Sequence, residues 1–162
     1  IDTLLYENRE YNFENIILHQ HILPAPTQMI RMKVLEKIGG YKSYLIIEDW
    51  YMWLKLSQFG NILYVKEIFS LYRQHDSNIS NNVMKMRQGR LDVLDYFKDS
   101  EHYRQAINNV RWINANEKYS GNKKYQFGYF KETFTLKPFK VSNMFFKYAV
   151  RIIKNKIRSF YK

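Results

Sequence analysis

Six glycines and three prolines are all that 162 residues offer for sharp changes of direction. An all-β sandwich or barrel needs a turn every 8–12 residues or so. The scarcity excludes those classes and leaves helices joined by few, well-placed breaks. At roughly 150 residues per domain the chain amounts to about one domain with a short appendage. Aromatic residues make up 17% of it, enough bulk for a core. Cysteine is absent, which excludes disulfides, thiolate zinc sites and cysteine nucleophiles and fits a reducing compartment.

The breaks divide the chain into elements. Phe13–His21 has helical spacing with Asn12 as N-cap. Leu23-Pro24-Ala25-Pro26 ends it, because a residue before proline disfavours helix. Thr27–Met32 is a candidate strand, and Lys33–Ile38 a short helix stopped by Gly39-Gly40. After a loop over Tyr41–Ile47, Asp49–Phe59 carries Met52, Trp53, Leu56 and Phe59 on one apolar stripe, with Tyr51, Lys55 and Gln58 on another face and Gly60 as terminator. Ile62–Val65 and Ile68–Tyr72 are strand-like. Beyond Ser80 the spacing is helical: Val83 to Phe97, Tyr103 to Ile113 and Asn143–Tyr161, with Tyr119–Pro138 aromatic and irregular. Ser80 or Asn81 is the expected cap of the first of these. The sequon Asn78-Ile79-Ser80 is read as belonging to that helix start rather than to glycosylation.

Charge is concentrated at the end. The net charge is +11, and Phe139–Lys162 contributes seven basic residues and no acid. Global basicity points to nucleic acid, whereas a localised basic tail points to an appended contact with an anionic surface. Lys147, Arg151, Lys154 and Arg158 are the candidate membrane-contact residues, interleaved with Phe145, Tyr148, Ile152, Ile153 and Ile157. Such a helix can lie on an anionic bilayer or pack its apolar face on the domain. No apolar run approaches the roughly 18–20 residues of a membrane span. The start, Ile1-Asp2-Thr3, carries neither initiator Met nor a signal pattern, so a piece of a longer protein is expected.

Glu48-Asp49 is the pair most suited to chemistry. A carboxylate at the start of a strongly apolar helix feels the helix N-terminus, which favours its charged form, and partial burial, which favours the neutral form. On this pair alone that placement suits an N-cap, the commoner role of an acid before a helix, ahead of a general base. His19 and His21 are two residues apart and would share a metal only on a strand.

The order of the surrounding pieces resembles the C-terminal half of the family 2 glycosyltransferases, which have the nucleotide-diphosphosugar transferase (GT-A) fold. The matching pieces are Met29 to Arg31, Gly39-Gly40-Tyr41, Glu48-Asp49, Trp53-Leu54-Lys55-Leu56, Tyr72-Arg73-Gln74-His75 and Asn78-Ile79-Ser80. They cover Thr27–Ser80 well and Phe13–Pro26 weakly, and nothing beyond. The resemblance implies an α/β fold, a partial GT-A fold of acceptor-side strands and helices of a mixed sheet, over 1–80; the helical spacing beyond it adds a helical extension over 81–138 and a basic amphipathic helix over 139–162. It implies an inverting hexosyltransferase in which Asp49 takes the proton of an acceptor hydroxyl and Glu48 orients the acceptor or supports Asp49. Trp50 and Tyr51 are then placed to offer flat faces to an acceptor sugar, and Arg73 and His75 to lie near the donor diphosphate and its metal. The implied partners are a nucleotide-sugar donor, a glycan acceptor (polyprenyl-linked in many such enzymes) and an anionic membrane, with no specific nucleic acid. The implied place is cytoplasmic, on the inner face of the cell membrane, in synthesis of a bacterial surface polysaccharide such as capsule or O-antigen.

One departure bears on the cofactor. The family's Asp-x-Asp motif for Mn²⁺ or Mg²⁺ occurs nowhere in this chain. Asp92 and Asp95 have a helical spacing and read as a solvated face. The metal is therefore expected to be held mainly by an absent N-terminal half, with His75 the one possible ligand here, and the chain alone is expected to be inactive. The rival reading is a non-enzymatic helical module that binds anionic membrane or RNA through its basic tail.

Overall fold

The computed structural model describes residues 9–19, 25–71, 73, 75, 77–119 and 127–160. The described chain is mostly helical with one small antiparallel sheet. It forms two compact units that divide between Ile107 and Asn108. The expected divisions after Ser80 and before Phe139 do not coincide with that boundary.

The first unit is built around one helix. Strand β1 (Arg9–Tyr11) leads into α1 (Phe13–His19), then come α2 (Met32–Ile38), α3 (Glu48–Ser57), β2 (Ile62–Tyr64) and α4 (Val83–Asp95). Helix α5 (Tyr103–Lys118) begins here and runs across the division. Helix α3 touches α1, α2, α4 and β2. It is accordingly buried nearly all round: Trp50, Tyr51, Met52, Trp53, Leu54 and Ser57 are all interior. The single-stripe expectation is corrected by this. Tyr51, assigned to a second face, is inside, and Phe59, assigned to the stripe, is 47% exposed. A helix in the middle of a layer has apolar residues on every side, so its periodicity no longer marks one inward direction.

Local chemistry accounts for the helix ends. Asn12 and Asn15 bond reciprocally, each side-chain oxygen accepting the other's backbone N–H, at 2.8 and 3.4 Å; this is capping-box geometry. Gly39 and Gly40 have φ of 78° and 68°, which only glycine adopts without strain, and their N–H groups close α2 on the Glu36 and Leu35 carbonyls. Helix α3 ends at Ser57, earlier than Gly60, on Gln58 in ordinary right-handed conformation. Helix α4 is capped by Asn82, whose side chain accepts the Lys85 N–H at 3.1 Å. The expected caps Ser80 and Asn81 lie instead in the 3₁₀ turn Ile79–Asn81 that precedes it.

Two expected strands, Thr27–Met32 and Ile68–Tyr72, are absent among the described residues. Residues 28–31 have no regular structure and Met29 is fully exposed. Residues 68–71 are irregular as well, with Ile68 and Leu71 each 91% exposed; Tyr72 lies outside the described residues. The sheet comprises β1 and β2 only, in the register Arg9↔Tyr64, Glu10↔Leu63, Tyr11↔Ile62. Among the described residues the sheet is therefore an antiparallel pair and not a mixed sheet.

The second unit holds the rest of α5, α6 (Phe127–Thr133) and α7 (Pro138–Phe160). Its core is Trp112, Tyr129 and Val141, with Tyr119, Phe130, Leu136 and Phe145 packed against them. Pro138 opens α7, a position where its missing N–H costs nothing. Tyr129 donates its hydroxyl proton to Asn116 Oδ1 at 3.3 Å, so its buried ring carries a satisfied polar end. Lys140 lies over the Trp112 ring, 5.2 Å from its centroid.

Candidate active site

The start of α3 gathers the groups best suited to chemistry. Leu45 and Ile47 are buried and pin the incoming loop. The helix begins at Glu48, and Ile47 at the N-cap offers no side-chain acceptor. The free N–H groups of the first turn are instead met from inside the helix: Asp49 Oδ1 accepts the Trp50 N–H at 2.7 Å. Asp49 is thus a first-turn residue and not the N-cap.

Glu48 and Asp49 are both half-buried. Burial holds the Asp49 carboxyl above the usual aspartate range, the Glu48 charge pushes it further up, and the Trp50 N–H pulls it partly back. The two left-handed glycines before it deliver Tyr41 to the same place. Its phenol titrates above its ordinary value, first through burial and then through the negative charges of Asp49 and Glu48. The Tyr41 hydroxyl donates to Gln28 Oε1. Gln28 and Tyr41 therefore join the two acids, and neither was singled out from sequence as a site residue. Tyr41 had a signal, the Gly-Gly-aromatic order; Gln28, in an irregular segment, had none.

The other site expectations fare differently. Trp50 is fully buried, and its indole N–H donates to the Ile16 carbonyl of α1 at 3.3 Å. Tyr51 is 4% exposed and meets Tyr96 edge-on, 5.1 Å between centroids. Both are core residues, so neither offers a face to a sugar; the acceptor-stacking expectation is corrected by their burial. Arg73 and His75 are exposed. Their backbone carbonyls are held by the side-chain amides of Asn78 and Asn81, at 3.4 and 3.1 Å, and His75 Nδ1 pairs with Ser77 Oγ at 2.8 Å. No hydrogen bond or ion pair among the described residues joins either of them to Glu48 or Asp49. Gln74, like Tyr72, lies outside the described residues.

Among the described residues no group of three His, Asp or Glu side chains could hold a metal ion. Asp92 accepts from Gln88 and Asp95 pairs with Lys98 at 3.2 Å, in keeping with a solvated face. A hollow of about 370 Å³ lies between α2, α3 and β2, lined by Arg31, Trp53, Phe59 and Leu63 among others, without Asp49. Lys147 and Lys154 are exposed on α7, and the side chains of Arg151 and Arg158 lie outside the described ones. No described helix is long and apolar enough to cross a membrane.

No family model, curated protein or solved structure matches the chain.

Proposed function

We propose that the chain is the acceptor-side part of a family 2 glycosyltransferase with a GT-A fold, transferring a hexose from a nucleotide-sugar to a growing bacterial surface glycan with inversion. The observation that supports this reading is the Asp49 carboxylate: half-buried, raised in proton affinity, and fixed from behind by the Trp50 N–H. A sugar hydroxyl is a weak nucleophile, and a positioned base of raised pKa removes its proton as the anomeric bond forms. The nucleoside diphosphate leaves from the opposite face. Glu48 keeps the Asp49 proton affinity high through its like charge. Arg73 is exposed and free to meet diphosphate oxygens, for which a guanidinium is well shaped.

Among the described residues no group of three His, Asp or Glu side chains could by itself hold a divalent cation. Mn²⁺ or Mg²⁺ would be held mainly by the remainder of the complete enzyme.

The test is Asp49→Asn in the complete enzyme, read as nucleoside diphosphate released with acceptor present. A loss of about 10²–10⁴-fold is expected, since that is what a general base contributes. Turnover at the wild-type rate would remove Asp49 from the chemistry.

A further inference from the structure

Helix α7 carries more apolar surface than its unit uses. Val141 is fully buried and Phe145, one turn on, packs on Tyr129 and Phe130, so these two mark the inward direction. Phe139, Phe146 and Ile153 form a different line. They are spaced seven apart and are 91%, 68% and 57% exposed. At 3.6 residues per turn that line lies roughly 120° around the helix from Val141 and Phe145. In sequence, Phe160 is the next member at the same spacing.

A third direction is basic. Lys147 and Lys154 are exposed and also seven apart, on the side of the apolar line away from the core. Helical spacing puts positions 151 and 158, both arginine, in the same sector. Nothing in residues 133–162 is acidic. Lys140 is engaged over Trp112 and belongs to the packing.

We infer that α7 docks flat on an anionic lipid surface, seating Phe139, Phe146 and Ile153 among the acyl chains while Lys147 and Lys154 meet the headgroups. The two parallel rows fit an interface plane, where an apolar face sinks about 5–10 Å and flanking cations contact phosphates. The exposed line of phenyl and aliphatic groups lies between the inward face and the row of cations, the order that an interface plane needs. It gains by leaving water for hydrocarbon. Charge complementarity selects the lipid: a row of cations on a helix that carries no acid favours a negative surface by about fivefold in partition for each residue. The helix lies on the bilayer, since it is not apolar enough to cross it. The inference stands on α7 alone, whatever becomes of Asp49.

The test sediments the full chain with vesicles of phosphatidylcholine, with and without phosphatidylglycerol. The chain is expected to follow the anionic vesicles by at least about tenfold. Phe146→Ser with Ile153→Ser should lose that binding while the far-ultraviolet helical signal stays, because neither side chain is in the core. Lys147→Gln with Lys154→Gln should cost about 25-fold. As a positive signal, Phe146→Trp should be quenched by brominated acyl chains. Undiminished binding by the serine pair, equal binding to both vesicles, an unquenched Trp at position 146, or retention of an RNA in place of lipid would each overturn the inference.

Discussion

Asp49 Oδ1 accepts the backbone N–H of its neighbour Trp50 at 2.7 Å, so one bond ties the half-buried carboxylate to the backbone of a residue whose indole is fully buried. The acid is held at the surface by a residue that cannot move without opening the core. This is how a short polar side chain acquires a fixed direction on a helix whose N-cap contributes none.

Asp49 should therefore weaken the fold at neutral pH. Its carboxyl is raised in the native state, chiefly by burial. Between the ordinary aspartate value of about 3.9 and that higher native value, the native state binds more protons than the unfolded state. Stability then falls as pH rises through the window. Asp49→Asn keeps an oxygen for the Trp50 N–H and has no charge to desolvate. Urea unfolding of both forms should agree at pH below the window and favour the asparagine form at pH 7. A wild-type advantage at pH 7 would reverse the sign of the burial effect.

Trp50 separates a core role from a sugar platform. Truncation to alanine leaves a cavity, and such changes cost about 3–5 kcal/mol. Trp50→Phe should cost about 1–3 kcal/mol, because most of the ring is kept and the bond to the Ile16 carbonyl is lost. Equilibrium denaturation reads both. A Trp50→Ala chain of unchanged stability would mean that the indole does not hold α3 on α1.

What could be read from the sequence was what depends on neighbours in sequence. Gly39-Gly40 stops α2 because a Cβ makes that left-handed backbone costly for other residues. Asn12 caps α1 because its partner, Asn15, is three residues away. The long tail helix shows its pattern over many turns. Ile62–Val65 was legible as a strand and is β2, but the other strands were not, since β-propensity reports a fit to a partner strand. Ile68–Leu71 has the composition and no partner among the described residues, whereas Arg9–Tyr11 has little pattern and pairs with Ile62–Tyr64 across half the first unit. The site followed the same rule. Glu48-Asp49 was legible as a local motif, while the burial of Trp50 and Tyr51 depends on α1 and α4, and the approach of Gln28 to Tyr41 on the fold of the loops.

Tyr44 and Tyr96 should reveal themselves at high pH. Their hydroxyls share a hydrogen bond, and this bond first, with some burial, pushes the Tyr96 phenol up to about 12. A tyrosine that ionises at about 10 when unfolded and about 12 when folded stabilises the fold below the lower value. That stability drains away between the two. Phenolate absorbance should show a late-titrating group, and Tyr44→Phe should bring it down toward the ordinary range. An unchanged titration curve in Tyr44→Phe would remove the pair as the cause.

Gly89 sets how closely α4 approaches the segment that carries the site. A Cβ built on it meets Ile47 Cγ1 at 3.0 Å and Ile46 Cβ at 3.1 Å. Ile47 is itself buried, and the next residues are Glu48 and Asp49. Alanine in the middle of a helix gains about 1 kcal/mol over glycine. Overpacking a filled site costs about 1–3 kcal/mol. Because Ile46 is met at its Cβ, the contact is relieved only by moving backbone, and the cost should win. Gly89→Ala is expected to destabilise the chain by about 1 kcal/mol on denaturant unfolding. It should also move the loop ahead of Asp49, lowering the glycosyl transfer proposed for the complete enzyme even though residue 89 lies outside the candidate site. A stabilised Gly89→Ala chain would mean that α4 and the Ile46-Ile47 segment separate more easily than their packing implies.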